Sequence, residues 1–333
     1  MLNHRKYCRL SGVFLALIGC CLLLASSGAR AQDAGRVGES SVAGFLSTSA
    51  VAETEWVTPA GNGAVQRFTF QNQLICFEAV VDDRVGTFIL DTGSPRMLVN
   101  TYGDTQVGES SNNEGVAAGG QVNLSDEFVS SFKLSGQEFK KVWALGLDLR
   151  PLETRLRDSI AGFVGHDLLQ NNEVRIDYVR NQFALLPSVR QPQHEGRQPT
   201  FTLPFQLVGH LPVITFGRGK QRLRLALDTG ASINIMDDTH KDRMSSITAV
   251  VDVQGLDGQP LLLNQSRLFT SQSTPLLAQE EFVTMDLSSL QPAANNQRID
   301  GLLGSDFLAK FVVGIDYRRN RLYLWTTPNS TSK

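Results

Sequence analysis

Apolar and polar residues alternate over short segments through most of the chain, which is typical of β-strands with one buried face. Strand signals begin at Val65 and continue to the apolar run at 88–90. The pattern restarts at Leu211–Phe216 and, after a glycine turn, at Leu223–Leu227. This spacing predicts a β-hairpin that runs directly into Asp228. Helical signals are few and short, so a mainly β protein is predicted; they cover residues 151–158, 167–170, 237–244 and 306–310.

Two breaks in this pattern predict the domain organisation. Residues 32–63 are rich in Ala, Gly, Ser and Thr with little periodicity, which predicts a flexible N-terminal segment, and a short propeptide there is an open alternative. Proline, glycine and glutamine interrupt the strand signals at 188–200, which predicts a linker. The expected units are a first lobe at 64–187, a second lobe at 201–327 and a C-terminal tail at 328–333.

An internal repeat relates the two predicted lobes. Ten residues of the first half, from Gly165 to Leu185, recur 139 positions later without a gap, from Gly304 to Leu324. Upstream, the sequence Leu-Asp-Thr-Gly at 90–93 recurs 137 positions later at 227–230. The two offsets differ by only two residues, which indicates that one lobe has been duplicated.

The N-terminal sequence predicts an export signal. Basic residues at 4–9 precede an apolar run at 13–24 and small residues that end at Ala31, which predicts a signal peptide at 1–31 and a mature chain that begins near Gln32. The apolar run is short for a membrane span. We therefore expect a periplasmic or secreted protein. A lipoprotein anchored at Cys20 is the weaker alternative, because apolar residues follow that cysteine where a polar tether is expected.

Composition narrows the possible partners. The chain has 333 residues, of which 41% are hydrophobic and 19% are charged, and its formal net charge is -2. This composition is typical of a soluble globular protein without a basic surface, so nucleic acid is not expected as a partner. Three of the four cysteines lie in the predicted signal peptide, which leaves Cys76 without a disulfide partner in the mature chain. Since Cys76 lies in an apolar run, we expect a small buried hydrophobe there.

The chemistry is concentrated in one motif that occurs twice. In each repeat a strand ends in Asp-Thr-Gly, and roughly seventy residues later two apolar residues precede a glycine, at 163–165 and at 302–304. A single Asp-Thr-Gly is weak evidence, because strands often end in Asx or glycine turns. Two copies at matching distances favour a catalytic interpretation.

On these motifs the chain resembles the retropepsin-like aspartic peptidases, and the Ile-Asp-Tyr runs at 176–178 and 315–317 look like those of bacterial members. The resemblance covers about residues 65–187 and 201–326. It implies a mainly β fold in which two similar β-barrel lobes form a pseudo-dimer with a central cleft. It also implies an aspartic-type endopeptidase, a hydrolase that acts on peptide or protein substrates and needs no cofactor or metal.

Two aspartates, Asp91 and Asp228, are the predicted catalytic residues. Peptide hydrolysis without a metal needs one group that takes a proton from water and another that donates to the carbonyl oxygen, and two carboxyl groups that share a proton do both. Held close together, they should titrate as a unit. The glycines that follow, Gly93 and Gly230, let the backbone pass close to the carboxylates and donate its amides to them.

Neighbouring residues are expected to support these loops. By the resemblance, Thr92 and Thr229 join the two loops across the lobe interface, and the loop set extends to Gly165 and Gly304.

The two loops differ after the glycine, where Ser94 stands in the first lobe and Ala231 in the second. A serine hydroxyl there can donate to an ionised carboxylate, whereas alanine cannot. The difference predicts Asp91 as the ionised partner and Asp228 as the protonated one.

Glycine-rich hairpin tips at 115–120 and 255–258 are predicted flaps over the substrate, and ordinary exposed turns are the alternative interpretation. The candidate substrate-contacting residues are Gly119, Gly120, Gly255 and Gly258. Neither tip contains a tyrosine, which departs from the pepsin pattern.

Other sequence features are weaker. His194 and Glu195 begin like a zinc-protease motif, but Gln198 occupies the second histidine position, so no metal site is predicted. His166 follows Gly165, yet its repeat counterpart is Ser305, which favours a surface or helix-start role. In the first lobe, Ala161 also departs from the repeat, because the second lobe has an aspartate there, at position 300.

Two alternatives remain open at this point. A noncatalytic peptide- or glycan-binding protein could use the same lobes, although both aspartates are intact. The lobes could also pair between chains in a homodimer. We expect a monomer with the two lobes paired in cis, because the linker gives them a high effective concentration.

Overall fold

The computed structural model describes residues 15–17, 23–25, 55–57, 64–102, 113–117, 120–219, 222–255, 260–268, 275–278, 280–288 and 298–327. The predicted signal peptide and N-terminal segment therefore lie outside the described residues, apart from three short strands. Cys20, the alternative lipid-anchor position, also lies outside them. The predicted tail at 328–333 lies outside them as well. Over the part of the chain that is described, no helix is long and apolar enough to cross a membrane.

Strands dominate the structure. Those of the first half are β1 (Leu15–Leu17), β2 (Leu23–Ala25), β3 (Glu55–Val57), β4 (Gln66–Arg67), β5 (Thr69–Gln71), β6 (Leu74–Val81), β7 (Arg84–Leu90), β8 (Leu98–Asn100), β9 (Asn113–Ala117), β10 (Gly120–Leu134), β11 (Gln137–Leu147), β12 (Gly162–Val164), β13 (Glu173–Asp177) and β14 (Gln182–Leu186). Those of the second half are β15 (Phe201–Val208), β16 (Leu211–Phe216), β17 (Leu223–Leu227), β18 (Ile235–Asp237), β19 (Met244–Gln254), β20 (Pro260–Leu268), β21 (Glu281–Met285), β22 (Gly301–Leu303), β23 (Phe311–Asp316) and β24 (Arg321–Thr326).

The helices are short and lie at the four predicted places. They are α1 (Arg150–Leu156), α2 (His166–Leu169), a 3₁₀ helix at Asp238–Arg243 and α3 (Ser305–Leu308). A further 3₁₀ turn at Pro275–Leu277 was not predicted. The prediction of a mainly β fold is confirmed.

The first lobe contains a closed barrel. Its ten-stranded sheet has the order β2-β9-β10-β11-β8-β12-β7-β6-β5, and β3 pairs with β11. An additional pairing between β10 and β6, with Phe132 opposite Val81, closes six of these strands on themselves. Closure removes the exposed strand edges that an open sheet would leave.

The second sheet has fourteen strands, in the order β1-β19-β20-β21-β18-β22-β17-β16-β15-β24-β23-β13-β14-β4. Its last six strands come from both halves of the chain. The two repeats meet where β13 pairs with β23, and Arg175 lies opposite Gly314, which is its own repeat counterpart. A residue that faces its own repeat counterpart lies next to a local pseudo-two-fold axis, so the duplicated halves are paired about this point.

The largest hydrophobic cluster belongs to both halves. It includes Phe88 and Leu90 from the first, Leu225 and Phe307 from the second, and Val313 from the shared strands. Each half also has a smaller cluster of its own. Because close-packed cores transmit strain rather than absorb it, the shared cluster fixes the strands that carry the two Asp-Thr-Gly loops.

Cys76 lies in the smaller cluster of the first half and is only 4% exposed. Burial raises the pKa of its thiol to about 12. The expectation of a buried hydrophobe is confirmed, and a thiolate nucleophile is excluded at neutral pH.

Candidate active site

Both Asp-Thr-Gly loops begin where a buried strand ends. Asp91 follows β7, and its amide donates to the Val164 carbonyl at 3.0 Å; Asp228 follows β17, and its amide donates to the Leu303 carbonyl at 3.0 Å. In both lobes the acceptor belongs to a strand that pairs in parallel with the one that carries the aspartate. The apolar pair that recurs in each repeat therefore anchors the aspartate backbone.

The two threonines bind each other's loops. The Thr92 hydroxyl accepts from the Thr229 amide at 3.0 Å and donates to the Leu227 carbonyl at 3.2 Å. Reciprocally, the Thr229 hydroxyl accepts from the Thr92 amide at 3.0 Å and donates to the Leu90 carbonyl at 2.8 Å. Both threonines are fully buried. Four hydrogen bonds thus join the loops across the interface between the repeats.

Each carboxylate lies against the glycine of the opposite loop. A Cβ added to Gly93 would lie 2.6 Å from the carboxyl carbon and both oxygens of Asp228, and one added to Gly230 would lie 2.5 Å from the carboxyl carbon of Asp91. Within its own loop, Asp91 Oδ1 accepts from the Gly93 amide at 2.8 Å, and Asp228 Oδ1 accepts from the Gly230 amide at 2.9 Å. Both aspartates are fully buried. A side chain at either glycine would displace a carboxylate, and the two acids share one site.

The glycines at the ends of the later motifs, Gly165 and Gly304, make equally close contacts. A Cβ there would lie 2.4 Å from the Arg96 carbonyl oxygen and 2.4 Å from the Ile233 carbonyl oxygen, respectively. The next residue in each lobe donates its amide back to the loop, to the Ser94 carbonyl at 2.9 Å and to the Ala231 carbonyl at 2.8 Å. These positions therefore support the loops from behind.

The predicted role of Ser94 is corrected by the geometry. Its hydroxyl donates to the Arg96 carbonyl at 2.8 Å. A hydroxyl has a single proton to donate, so this proton is not available to Asp91. Ser94 braces its own loop, and its contrast with Ala231 does not mark Asp91 as the ionised partner.

Two residues that the sequence motifs do not predict hold the loops from the opposite lobe. His210 lies in the turn between β15 and β16, and its Nε2 is 2.7 Å from the Gly93 carbonyl oxygen. Its repeat counterpart is Gln73; with its amide nitrogen facing acceptors, Gln73 donates to the Ser232 carbonyl at 2.9 Å and to Asp306 at 2.6 Å. The signal was present in the repeat, because each residue stands directly before the first strand of its hairpin.

Asn234 is a third residue that was missed. It is 1% exposed, and its Oδ1 accepts from the Gly304 amide at 3.0 Å. Its amide nitrogen donates to the Glu281 carbonyl at 3.1 Å. A polar residue inside the apolar run at 233–236 was the available signal, since buried polar groups need partners.

Aromatic and imidazole rings pack beneath the loops. His166 contacts Tyr317 with ring centroids 5.1 Å apart and His210 with centroids 6.5 Å apart. Burial raises the pKa of Tyr317, and the negative charges of Asp91 and Asp228 raise it further. The predicted surface or helix-start role of His166 is only partly right: it starts α2, but it is packed between the lobes.

The predicted flaps fall on hairpins. β9 pairs with β10 up to Ala117 opposite Gly120, and β19 pairs with β20 up to Gln254 opposite Pro260. Gly120 begins β10 and Gly255 follows β19, whereas Gly119 and Gly258 lie outside the described residues. Contact between these glycines and a substrate stays a prediction.

Comparisons with known proteins concern the fold. The sequence matches no family model and no curated protein. Among solved structures, the chain is similar to the crystal structure of aspartic proteinase from Irpex lacteus, with a TM-score of 0.48 and 13% sequence identity. The match covers 81% of this chain and 99% of that chain.

Proposed function

We propose that this protein is an exported aspartic endopeptidase in which Asp91 and Asp228 activate a water molecule. The observation that carries the proposal is the reciprocal packing of each carboxylate against the glycine of the other loop. Two buried carboxyl groups in one site are difficult to ionise together, so one of them retains a proton at the working pH. The site then offers a base and an acid side by side.

The reaction follows from that pair. The ionised carboxylate takes a proton from water as the water oxygen attacks the peptide carbonyl carbon, and the protonated carboxyl donates to the carbonyl oxygen. A tetrahedral diol results. The protonated carboxyl group then donates to the amide nitrogen while the other carboxylate takes a proton from a diol hydroxyl. The C–N bond breaks as the carbonyl re-forms, which releases an acid and an amine and leaves the pair singly protonated.

The substrate would be an extended peptide segment of a peptide or protein. Strand-like binding against the β9–β10 and β19–β20 hairpins would satisfy its backbone groups. The site would work in a monomer, because the threonine bonds and the β13–β23 pairing already join the two repeats within one chain. Neither a metal nor a cofactor takes part in the scheme.

A quenched-peptide library tests the activity. Purified mature protein, assayed across pH with a pepstatin-type inhibitor as control, should cleave a subset of the peptides. Asp91→Asn and Asp228→Asn should each lower kcat/KM by on the order of 10³-fold or more, because each removes one half of the acid-base pair. Light scattering on the same samples should give a monomer.

The opposite results would have distinct meanings. No cleavage at any pH by folded wild-type protein would favour a noncatalytic peptide- or glycan-binding protein. Substantial activity in either single variant would contradict a shared site. N-terminal sequencing of the exported protein tests the signal peptide separately, with a start near Gln32 expected.

A further inference from the structure

We infer that His210 is a positioning residue for the aspartate pair, and that it acts on the first active-site loop from the second lobe. The inference rests on the proposed function, since it assigns a residue to that same site. It arises from an asymmetry: a titratable imidazole holds one loop, whereas an amide holds the other.

Three contacts of the site meet at Gly93. Its amide donates to Asp91, its Cα packs against the Asp228 carboxyl, and its carbonyl oxygen lies 2.7 Å from His210 Nε2. Because a carbonyl oxygen only accepts, Nε2 must carry the hydrogen. His210 therefore fixes a glycine that touches both carboxyl groups, as Gly230 does in the other loop.

The equivalent contact in the other repeat is different. Gln73 donates to the Ser232 carbonyl, two residues beyond Gly230, and to the Asp306 side chain. It braces the second loop at its far end rather than at the glycine. Loss of the His210 contact should thus disturb the spacing of the carboxyl groups more directly than loss of the Gln73 contacts.

The surroundings of His210 keep its ring neutral. Burial lowers the pKa of His210 to about 4, against a smaller opposing effect of its bond to Gly93. Burial also lowers the pKa of His166 to about 4, and the neighbouring His210 lowers it further. The other titratable groups near this pair are Tyr317, which packs on His166, and the two aspartates beyond it. Below this pH both rings gain charge and repel each other directly beneath the loop.

Two substitutions at position 210 separate positioning from bulk structure. His210→Gln supplies an amide donor, as Gln73 does in the other repeat, but it cannot titrate. His210→Leu removes the donor. We expect His210→Leu to lower kcat by on the order of 10- to 100-fold with a smaller change in KM, as a displaced catalytic group does. His210→Gln should restore most of this loss near pH 6 and move the acid limb of the kcat/KM profile to lower pH.

A second measurement does not depend on activity. In NMR spectra of the whole mature protein, the Gly93 signals should respond to Asp91, which the Gly93 amide binds, and also to the His210 ring, which titrates with a pKa of about 4. The part of the Gly93 response that follows the His210 ring should be absent in His210→Gln, and the Gly93 signal should shift in His210→Leu. Gln73→Ala is the matched control and should leave the Gly93 titration in place. Thermal unfolding at pH 6.5 establishes that each variant is folded.

The outcomes distinguish the two proposals. Unchanged Gly93 signals in His210→Leu, or wild-type kcat and acid limb in both position-210 variants, would overturn the positioning role while leaving the peptidase intact. A wild type that cleaves nothing, but whose Gly93 amide follows His210, would overturn the peptidase and keep the structural coupling.

Discussion

The two lobes differ in the side chain that precedes one pair of corresponding strands, β12 in the first lobe and β22 in the second. In the second lobe, Asp300 precedes β22, and it accepts from the Arg224 amide at 2.8 Å and lies 2.9 Å from His240 Nε2. In the first lobe the Glu153 carboxylate instead accepts from the Ile160 amide at 3.0 Å, and the residue that corresponds to Asp300 is Ala161. A cavity of about 320 Å³ lies beside it, with Gly86 and Phe128 in its lining.

The backbone around these positions is nevertheless the same. The Ala161 amide donates to the Thr87 carbonyl at 2.7 Å, and the Asp300 amide donates to the Arg224 carbonyl at 2.8 Å. One strand further, an amide side chain at Asn100 stands where the second lobe has a carboxylate, and it donates to the Ile160 carbonyl at 3.0 Å. Duplicated backbone bonds hold the strands, so the side chains there have diverged, whereas those of the Asp-Thr-Gly loops have not.

The largest effect should come from the part that the lobes share. Thr92→Val and Thr229→Val each remove a hydroxyl that serves one buried donor and one buried acceptor. Each variant should lose about 2 to 4 kcal/mol of unfolding free energy in urea titrations, because both partners are left unsatisfied. Thr→Ser at either position keeps the hydroxyl and is the control. Clearly unequal losses would show that the loops are not joined symmetrically.

A smaller effect should come from the charged network of one lobe. Burial acts to raise the pKa of Asp300, but the bonds from His240 and Arg224 lower it more, and the net pKa lies below the usual value. Asp300→Ala should lower the unfolding free energy by about 2 kcal/mol at pH 7, since buried donors lose their acceptor.

The pH dependence of that loss has a definite sign. A carboxyl with a lowered pKa stabilises the fold above its unfolded pKa, and this contribution disappears as the pH falls through the folded value. The difference between wild type and Asp300→Ala should therefore shrink below about pH 4. Asp83→Asn, at a side chain that is 94% exposed, is the control with no expected effect. A difference that is constant with pH would mean that the carboxylate charge plays no part.

The two imidazoles between the lobes, His166 and His210, should make the unfolding free energy depend on pH. The pKa values of His166 and His210 are lowered from 6.5 to about 4, so the unfolded chain binds more protons between these values. Their contribution to stability is then complete above pH 6.5 and declines as the pH falls to about 4. His166→Ser combined with His210→Gln, which copies the other repeat, should remove this decline.

Two carboxyl groups, those of Asp167 and Asp306, change the unfolding free energy with pH in the opposite direction. Burial raises the pKa of Asp167 and of Asp306 to about 6, so their contribution is present at low pH and is lost as the pH rises through that value. In the double variant the unfolding free energy should therefore fall as the pH rises from 4 to 6. Chemical denaturation at half-unit pH intervals measures both slopes, and parallel curves for the two proteins would refute the assignment.

The smallest effect is expected where the two loops differ. Ser94→Ala removes one bond to the Arg96 carbonyl and should lower the unfolding free energy by about 1 kcal/mol. It should not move the acid limb of the kcat/KM profile, because the hydroxyl proton is not directed at Asp91. A raised acid limb in Ser94→Ala, with Ala231→Ser lowering the alkaline limb, would restore the role inferred from the sequence.

Patterns along the chain are sufficient to predict the mainly β fold, the duplication and the pairing of the two Asp-Thr-Gly loops. These features are repeated along the chain: alternation sets the strands, and a fixed offset relates each loop to its copy. Even the close approach at Gly93 and Gly230 follows from residue type, since only glycine leaves room for a carboxyl group at its Cα.

The hydrogen-bond partner of each side chain, in contrast, depends on how the chain packs in three dimensions. Ser94 follows Asp91 by three residues, and this local pattern does not reveal that the hydroxyl proton goes to the Arg96 carbonyl. His210 meets Gly93 across 117 residues of chain, a contact that exists only after the lobes have packed. A hydrogen bond depends on distances and angles set by the whole packed core, and alternation along the chain carries no information about them.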